Sequence, residues 1–231
     1  MKAVEVHNGQ PEILLWTNRP EAQPAAGEVS VRWHASSLNF HDYLVAIGGI
    51  PVQPGRVPMS DGAGEIIAVG EGVTQWKPGD RVMSLFFPNW VEGRPTFDKT
   101  RFISGETVDG FALEQSCLSQ HSLTSIPDGW TFGEAATLPC AALTAWRALF
   151  GACRIQPGDT VLVEGTGGMS IFALQFALAA GAKVFATTGS ATKAQRLLEL
   201  GASAVVNYRD DPNWGKTLFK MTKGGIDHVL D

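Results

Sequence analysis

The chain has 231 residues, which is enough for one large domain or two small ones, and 44% of them are hydrophobic and 18% charged. This balance is that of an ordinary globular protein and excludes a disordered or fibrous class. A net charge of −5, without any run of Lys and Arg, argues against general nucleic-acid binding.

Short alternating segments broken by Gly and Pro fill the first half of the chain. Residues 29–35 alternate between apolar and polar side chains, as a half-buried strand does, and residues 65–69 and 81–85 predict two further strands. Pro-Gly and Asp-Gly pairs between them predict turns. We therefore predict that residues 1–127 form a small, mostly β domain of barrel type.

Strands and helices alternate in the second half. Residues 131–150 predict a largely helical segment with a break at Pro139. Strands are predicted at residues 159–163, 183–187, 204–207 and 228–230, and helices at residues 169–180 and 192–200. Gly181 and Gly201 are placed to end those two helices. This alternation predicts that residues 128–231 form a doubly wound domain with a parallel sheet.

A glycine-rich turn, residues 165–170, joins the first predicted strand of this domain to the helix that follows. Gly165 allows a tight turn, and Gly167 lets the backbone approach a pyrophosphate closely. The helix N-terminus then offers free N–H groups and a partial positive charge. Ser170 stands where a third small residue is usual. With a second strand about 20 residues further on, this context predicts a dinucleotide site, whereas the glycines alone would indicate only a turn.

The end of the second predicted strand distinguishes between the two nicotinamide cofactors. NAD-binding proteins place an Asp or Glu there for the ribose 2′-hydroxyl, but residues 185–190 contain no acid. Lys193 and Arg196 follow directly, and a cation suits a 2′-phosphate that a carboxylate would repel. NADP(H) is therefore favoured over NAD(H). The alternative is that both cations are solvated helix residues, and for Arg196 this reading is preferred.

The three cysteines, Cys117, Cys140 and Cys153, form an odd and sparse set that does not predict a disulfide framework. They indicate reduced thiols in a cytoplasmic protein. The N-terminus has no apolar core of a signal peptide, and no uncharged apolar stretch reaches the roughly 18 residues that span a bilayer. We expect no membrane partner.

Five stretches of the sequence, in this order, resemble the medium-chain dehydrogenase/reductase superfamily. They are residues 38–43, 61–65, 77–82 and 138–145, followed by the glycine turn. Together they cover nearly the whole chain. The resemblance implies an α/β protein with a GroES-like β domain followed by a Rossmann domain, and an active site in the cleft between the two.

Members of that superfamily differ mainly in whether their activity depends on zinc. The resemblance places Asn39, Ser60 and Cys140 at the positions where zinc-dependent members carry Cys, His and Cys ligands. A catalytic zinc site keeps three protein ligands, and only Cys140 is a good one. Residues 85–108 also contain no cysteine, so the four-cysteine structural lobe is missing. We expect no zinc, and we interpret Cys140 as a small buried residue.

Without zinc, the resemblance implies hydride transfer from NADPH to a quinone, an enone or a similar carbonyl-conjugated acceptor. The oxygen that becomes negative needs hydrogen-bond donors and finally a proton. The candidate catalytic residues are Asn39, as a donor to the nicotinamide ribose or the substrate oxygen, Tyr43, as the proton donor, and His41, as a relay. The alternatives are that Tyr43 packs on a helix and that His41 is a surface residue. Asp61 is a structural acceptor in this interpretation.

The resemblance also implies a set of cofactor contacts. They are Thr144, Gly165, Thr166, Gly167, Gly168, Met169, Ser170, Ser190, Lys193 and Tyr208. Thr144 matches a hydroxyl near the nicotinamide phosphate, and the last three match contacts to the adenosine 2′-phosphate.

The predicted Rossmann sheet stops after about four strands, whereas a complete dinucleotide fold has six. At about 30 residues for each strand–helix unit, roughly 60 or more residues are missing, so we expect a fragment of a longer protein. The resemblance implies a homodimer for the full-length form and a small-molecule substrate. Three alternatives stay open: an NADP-dependent alcohol dehydrogenase or carbonyl reductase, a non-catalytic NADPH-binding relative, and a reductase domain of a larger synthase. An N-terminus that opens the fold directly counts mildly against the synthase domain.

Overall fold

A computed structural model describes residues 1–7, 13–223 and 225–231. The chain divides into two compact units, Met1–Cys140 and Ala141–Asp231. No helix in these described stretches has the length and apolar character needed to cross a membrane.

The division after Cys140 differs from the predicted boundary after residue 127, and the reason is local packing. Helix α3 (Phe132–Ala135) starts with a capping box, in which Thr131 and Glu134 bond each other's backbone N–H groups. Its last turn buries Ala135 and Ala136 against side chains of the β unit. The segment after residue 127 therefore continues the first unit.

The first unit is mostly β, as predicted, and its strands pair antiparallel. Its strands are β1 (Lys2–Val6), β2 (Leu14–Asn18), β3 (Glu28–Ser37), β4 (Asp61–Val69), β5 (Arg81–Ser84), β6 (Gln115–Ser119) and β7 (Leu123–Ser125). The strands β1 and β2 form a pair, and the other five form one sheet in the order β6-β3-β4-β5-β7. Helices α1 (Phe40–Ala46) and α2 (Phe97–Thr100) and a 3₁₀ turn (Gln120–Ser122) lie in the connections.

The register between β3 and β4 brings distant parts of the chain together. Alternate residues of β3, among them Val29, Val31 and Trp33, enter the core of the sheet. At the far end of the pair, Ser37 lies opposite Asp61. The chain turns into α1 directly after β3, so the residues of α1 start beside the beginning of β4.

The second unit contains a four-stranded parallel sheet. Its strands are β8 (Thr160–Glu164), β9 (Lys183–Thr188), β10 (Ala204–Asn207) and β11 (His228–Leu230), in the order β10-β9-β8-β11. Helices α5 (Gly168–Ala179), α6 (Ala191–Glu199) and α7 (Trp214–Met221) connect them. The strand order reverses between β8 and β11, which is the switch point of a doubly wound sheet. The predicted fold is confirmed.

The predicted helical segment 131–150 is interrupted more than once. After α3 it continues as a π-helix (Leu138–Ala142), a single turn of α-helix α4 (Leu143–Trp146) and a second π-helix (Arg147–Ala152). The first π-helix contains Pro139, which has no N–H to donate to the regular ladder. The predicted break at Pro139 therefore takes the form of a wider turn.

Both faces of the parallel sheet are covered. Val161 and Val163 pack with Leu174 of α5 on one face, while Leu162 packs with Leu218 of α7 on the other. Successive strand residues point to opposite faces, so a strand buried on both sides shows a continuous apolar run. This run holds the carboxyl end of β8 in a fixed position below the glycine turn.

Candidate functional site

The glycine turn has the backbone that the sequence predicts. Gly165 follows β8 with a φ of +77°, in the left-handed region that favours glycine. Gly167 is the extended N-cap of α5. The Ser170 hydroxyl donates a hydrogen bond of 2.8 Å to the carbonyl oxygen of Glu164. Ser170 thus joins the start of the helix to the end of the strand.

The backbone amides of the turn divide into two groups. The Gly165 N–H donates to the carbonyl oxygen of Thr187 at 3.1 Å, so this amide anchors the turn to β9. The first hydrogen bond of α5 runs from the Ile171 N–H to the Gly167 carbonyl, at 3.0 Å. Within the described residues, the amides of residues 166–170 have no protein acceptor. They suit a diphosphate group at the positive end of the helix.

Two of the predicted cofactor contacts, Met169 and Thr144, have different surroundings. Met169 packs its side chain against the core of the second unit, so its backbone amide is the part available to a ligand. Thr144 lies in α4 with an exposed side chain. An ideal Cβ at Gly168 would lie 3.4 Å from the Cβ of Ala141, so the start of α5 adjoins the chain just before α4.

A cavity of about 420 Å³ opens beside the carboxyl ends of the parallel strands. Its lining consists of Glu164, Gly165, Thr187, Tyr208, Pro212, Trp214 and Asp231. Ligands of open α/β sheets bind at this edge, next to the point where the strand order reverses. The cavity and the glycine turn therefore share Gly165 and form one candidate nucleotide site.

The residues predicted to contact a 2′-phosphate lie around the end of β9. Ser190 is the N-cap of α6, and its hydroxyl accepts a hydrogen bond of 3.4 Å from the Lys193 N–H. The backbone N–H of Tyr208 donates to Thr188, at 3.1 Å, which holds Tyr208 beside the same strand end. Arg196, in contrast, pairs with Glu199 at 3.0 Å on the helix surface. This pair supports the preferred reading of Arg196 as a surface residue.

Arg209 also lies at this strand end and was not among the predicted contacts. An ideal Cβ built on Gly189 would lie 2.7 Å from Tyr208 Oη and 2.8 Å from Arg209 Nε. Its only signal in the sequence is its place directly after Tyr208, at the end of the third strand of the sheet.

In the first unit, Asn39, Ser60 and Cys140 meet around Asp61. The Asn39 side-chain Nδ2 donates to Ser60 Oγ at 3.1 Å and to Asp61 Oδ2 at 2.9 Å. The Cys140 backbone N–H points to the same Asp61 oxygen at 3.4 Å. Both donors of the Asn39 amide are thus committed to protein acceptors. The predicted donation from Asn39 to a ribose or a substrate oxygen requires one of these bonds to break.

Asp61 is completely buried, and its Oδ1 has no hydrogen-bond partner within the described part of the chain. Burial raises the pKa of Asp61 to about 7, and the negative charge of Asp42 adds to this rise, while the hydrogen bonds from Asn39 and Cys140 oppose it. Asp61 is therefore more than the structural acceptor that the sequence indicates, because its charge changes near neutral pH.

Asp42 organises the start of α1. It is buried, and its two oxygens accept hydrogen bonds of 2.8 Å from the backbone N–H groups of Asn39 and Ser60. This arrangement caps the helix and ties it to the residue that precedes β4. The side chain of Asn39 is thereby held toward Asp61.

His41 lies between two carboxylates instead of standing free on the surface. Its Nε2 is 2.7 Å from Glu106 Oε2, and its Nδ1 is 3.5 Å from Asp42 Oδ1. Its ring also contacts the edge of Phe86 at a centroid distance of 5.5 Å. The nearby Asp42 carboxylate, followed by the hydrogen bond to Glu106, raises the pKa of His41 against the opposing effect of burial.

Tyr43 lies on the solvent side of α1. It is 52% exposed, and the ring of Phe40, which is 74% exposed, lies 5.9 Å from its own. Tyr43 therefore contacts a ring of its own helix, as the packing alternative expects, while more than half of its side chain is open to contact with another molecule.

The donor set of the first unit does not fit a zinc ion. Burial and the neighbouring carboxylates Asp61 and Asp42 raise the pKa of the Cys140 thiol to about 12, so the thiol is protonated at neutral pH. The other two residues that the resemblance assigns to ligand positions, Asn39 and Ser60, offer an amide and a hydroxyl, which are poor zinc ligands. Among the described residues, no group of three or more His, Cys, Asp and Glu side chains is arranged to hold a metal ion.

Comparison with known proteins places both units in one family. Residues 25–128 match the alcohol dehydrogenase GroES-like domain, and residues 168–231 match the zinc-binding dehydrogenase domain. A zinc-type alcohol dehydrogenase-like protein of Schizosaccharomyces pombe is 46% identical over 210 residues, which cover 89% of this chain and 61% of that protein. The chain thus spans about three fifths of this relative's length.

Solved structures that resemble this chain come from the same family as its sequence relatives. A Sinorhizobium meliloti protein described as an alcohol dehydrogenase superposes with a TM-score of 0.93 at 36% identity, covering 100% of this chain and 69% of that one. The Escherichia coli quinone oxidoreductase, solved in complex with NADPH, superposes with a TM-score of 0.80 at 28% identity, covering 97% of this chain and 63% of that one. The chain belongs to the medium-chain dehydrogenase/reductase superfamily.

Proposed function

We propose that this chain is part of a zinc-independent, NADPH-dependent oxidoreductase that reduces a quinone, an enone or a similar carbonyl-conjugated acceptor. One observation carries the proposal: Asn39, Ser60 and Cys140, which the resemblance assigns to the ligand positions of zinc-dependent members, surround the buried carboxyl group of Asp61. In this proposal, a hydrogen-bonded cluster with one high-pKa thiol would take the place of the metal that polarises a carbonyl oxygen in zinc-dependent members.

The cofactor would be held by the second unit. The free amides of residues 166–170 would bind its diphosphate, and a bound nicotinamide supplies a hydride. Its ribose would lie near the end of β9, where Ser190, Lys193 and Tyr208 are found and no carboxylate follows the strand. These side chains favour the phosphorylated ribose of NADPH, because a hydroxyl and a cation stabilise a phosphate that a carboxylate would repel.

The acceptor gains negative charge on oxygen when its conjugated carbon takes up a hydride, and it then needs a proton. A conjugated acceptor suits a site without zinc, because its charge is delocalised before protonation. Tyr43 is the proton donor in this proposal, since its phenol is exposed and its ring shares the surface of α1 with Phe40. His41 Nε2 is held by Glu106, so His41 supports the arrangement of α1 and is not the direct donor.

The test is a turnover assay of the full-length protein with NADPH or NADH and three acceptors: a quinone, an enone and a saturated aldehyde. Metal content is measured on the same sample. We expect NADPH oxidation with the quinone or the enone, no loss of activity after chelation, and little turnover of the aldehyde. Stoichiometric zinc that is needed for activity, or turnover of the aldehyde alone, would contradict the proposal. NADPH binding without turnover of any acceptor would favour a non-catalytic relative.

A further inference from the structure

At the end of β9 there is no room for the carboxylate side chain that selects NAD. In NAD-binding proteins a carboxylate at this place bonds the ribose 2′-hydroxyl. Here Gly189 follows β9, and the space of its missing side chain is taken up by the ends of Tyr208 and Arg209. Any side chain at residue 189 would have to displace both of them.

Arg209 has a charge that no neighbouring carboxylate neutralises. Within the described residues, no carboxylate lies within ion-pair distance of its guanidinium, whereas Arg196 on the next helix pairs with Glu199. The two acids that follow Arg209 have other partners: Asp210 accepts from the Asn207 side chain, and Asp211 accepts from the backbone of Asn213. The guanidinium is thus available to an anion at the end of β9.

We propose that Arg209 and Gly189 together determine the preference for a phosphorylated ribose, in addition to Ser190, Lys193 and Tyr208. Arg209 would bind the 2′-phosphate with its planar, multiply donating guanidinium. Gly189 would leave the space in which Tyr208 and Arg209 lie, and it would keep a carboxylate out of that space. This inference rests on the proposed nucleotide site and names a further specificity determinant within it.

The test uses two probes that differ only in the phosphate of interest, adenosine 2′,5′-bisphosphate and AMP, titrated by calorimetry against the full-length protein. We expect Arg209→Met to weaken the bisphosphate by about 10- to 100-fold, as the loss of a charge-assisted hydrogen bond does, and to leave AMP within about twofold. Arg196→Met is the matched control, because it removes an arginine of the same region that already has an internal partner. It should leave both affinities unchanged.

A second pair of variants keeps Arg209 and changes Gly189. The φ of Gly189 lies outside the left-handed region, so Gly189→Ala and Gly189→Asp add no backbone strain, and the atoms they meet are the ends of flexible side chains. Gly189→Asp should weaken the bisphosphate more than Gly189→Ala does, while AMP binding is kept.

Three outcomes overturn the inference. The first is an unchanged bisphosphate affinity in Arg209→Met, and the second is an equal loss for both probes in that variant. Either would leave the nucleotide site itself standing. The third is a wild-type protein that binds neither probe, nor NADPH, which would reject the proposed function as well.

Discussion

Asn39 Nδ2 donates a hydrogen bond of 2.9 Å to Asp61 Oδ2, across 22 residues of sequence. The bond joins the first residue before α1 to the first residue of β4, and it leaves the other Asp61 oxygen buried without a partner. A carboxylate in this position is stabilised on one side only. We therefore expect the Asp61 carboxyl group to gain or lose its proton near neutral pH.

Asp61 should make the stability of the folded chain fall as the pH rises toward neutrality. Its folded pKa of about 7 lies above the ordinary value of 3.8, so the folded state binds the proton more tightly than the unfolded state does. The stabilisation is complete below the unfolded pKa and is lost as the pH rises through about 7. Within this window the group can contribute a slope of up to about 1.4 kcal/mol per pH unit.

The matched variant is Asp61→Asn, which resembles the protonated acid and keeps an oxygen for Asn39 and Cys140. Urea unfolding between pH 5 and pH 8 should give a free energy of unfolding that depends less on pH in the variant than in the wild type. Equal slopes for the two proteins would show that Asp61 titrates normally. Asp42 and His41 are the charged neighbours in the cluster, and both are present in the two proteins.

Gly167 offers a direct test of the nucleotide site. An ideal Cβ at this residue meets nothing within 4 Å, and its φ of −71° suits any L-residue. Gly167→Val should therefore change the free energy of unfolding by no more than about 1 kcal/mol. The branched side chain would occupy the space a diphosphate needs, so the NADPH dissociation constant should rise by about 100-fold or more.

The control for this experiment is Gly215→Val, in α7, where an added Cβ also meets nothing within 4 Å. It should bind NADPH as the wild type does. Unchanged NADPH binding by Gly167→Val would place the nucleotide away from the glycine turn.

The sequence could predict the strands, the helices and the glycine turn because their signals are local. The apolar run of β8 predicts a buried strand, and Gly165 directly after it predicts a tight turn, so a few neighbouring residues are enough for both predictions. The cluster around Asp61 was only partly predictable, because its members are far apart in sequence and meet through the pairing of Ser37 with Asp61. The hydrophobic periodicity of a sequence does not show which oxygen of a buried carboxyl group lacks a hydrogen-bond partner. Arg209 was missed for the same reason, since its position depends on the absence of a side chain at Gly189.

Tyr43 should matter for turnover and not for folding. The side chain is more than half exposed, so Tyr43→Phe removes a hydroxyl without creating a cavity. If the phenol donates the proton, kcat for a quinone or an enone should fall by about 100-fold or more, with a much smaller change in KM. Phe40→Leu, at the exposed neighbouring ring, should keep kcat within a few-fold. A normal kcat in Tyr43→Phe would assign the proton to another donor, such as water.

Cys140 and Cys153 should react very differently with iodoacetamide. Only the thiolate is nucleophilic, and burial beside Asp61 and Asp42 raises the pKa of Cys140 to about 12, which leaves a thiolate fraction of about 10⁻⁴ at pH 8. Cys153 is exposed and serves as the internal control. Mass spectrometry of the folded protein should find Cys153 alkylated first, with Cys140 reacting after urea unfolds the chain. Rapid labelling of Cys140 in the folded protein, suppressed by added zinc, would instead show a low-pKa thiol able to bind metal, and the zinc-independent proposal would then be wrong.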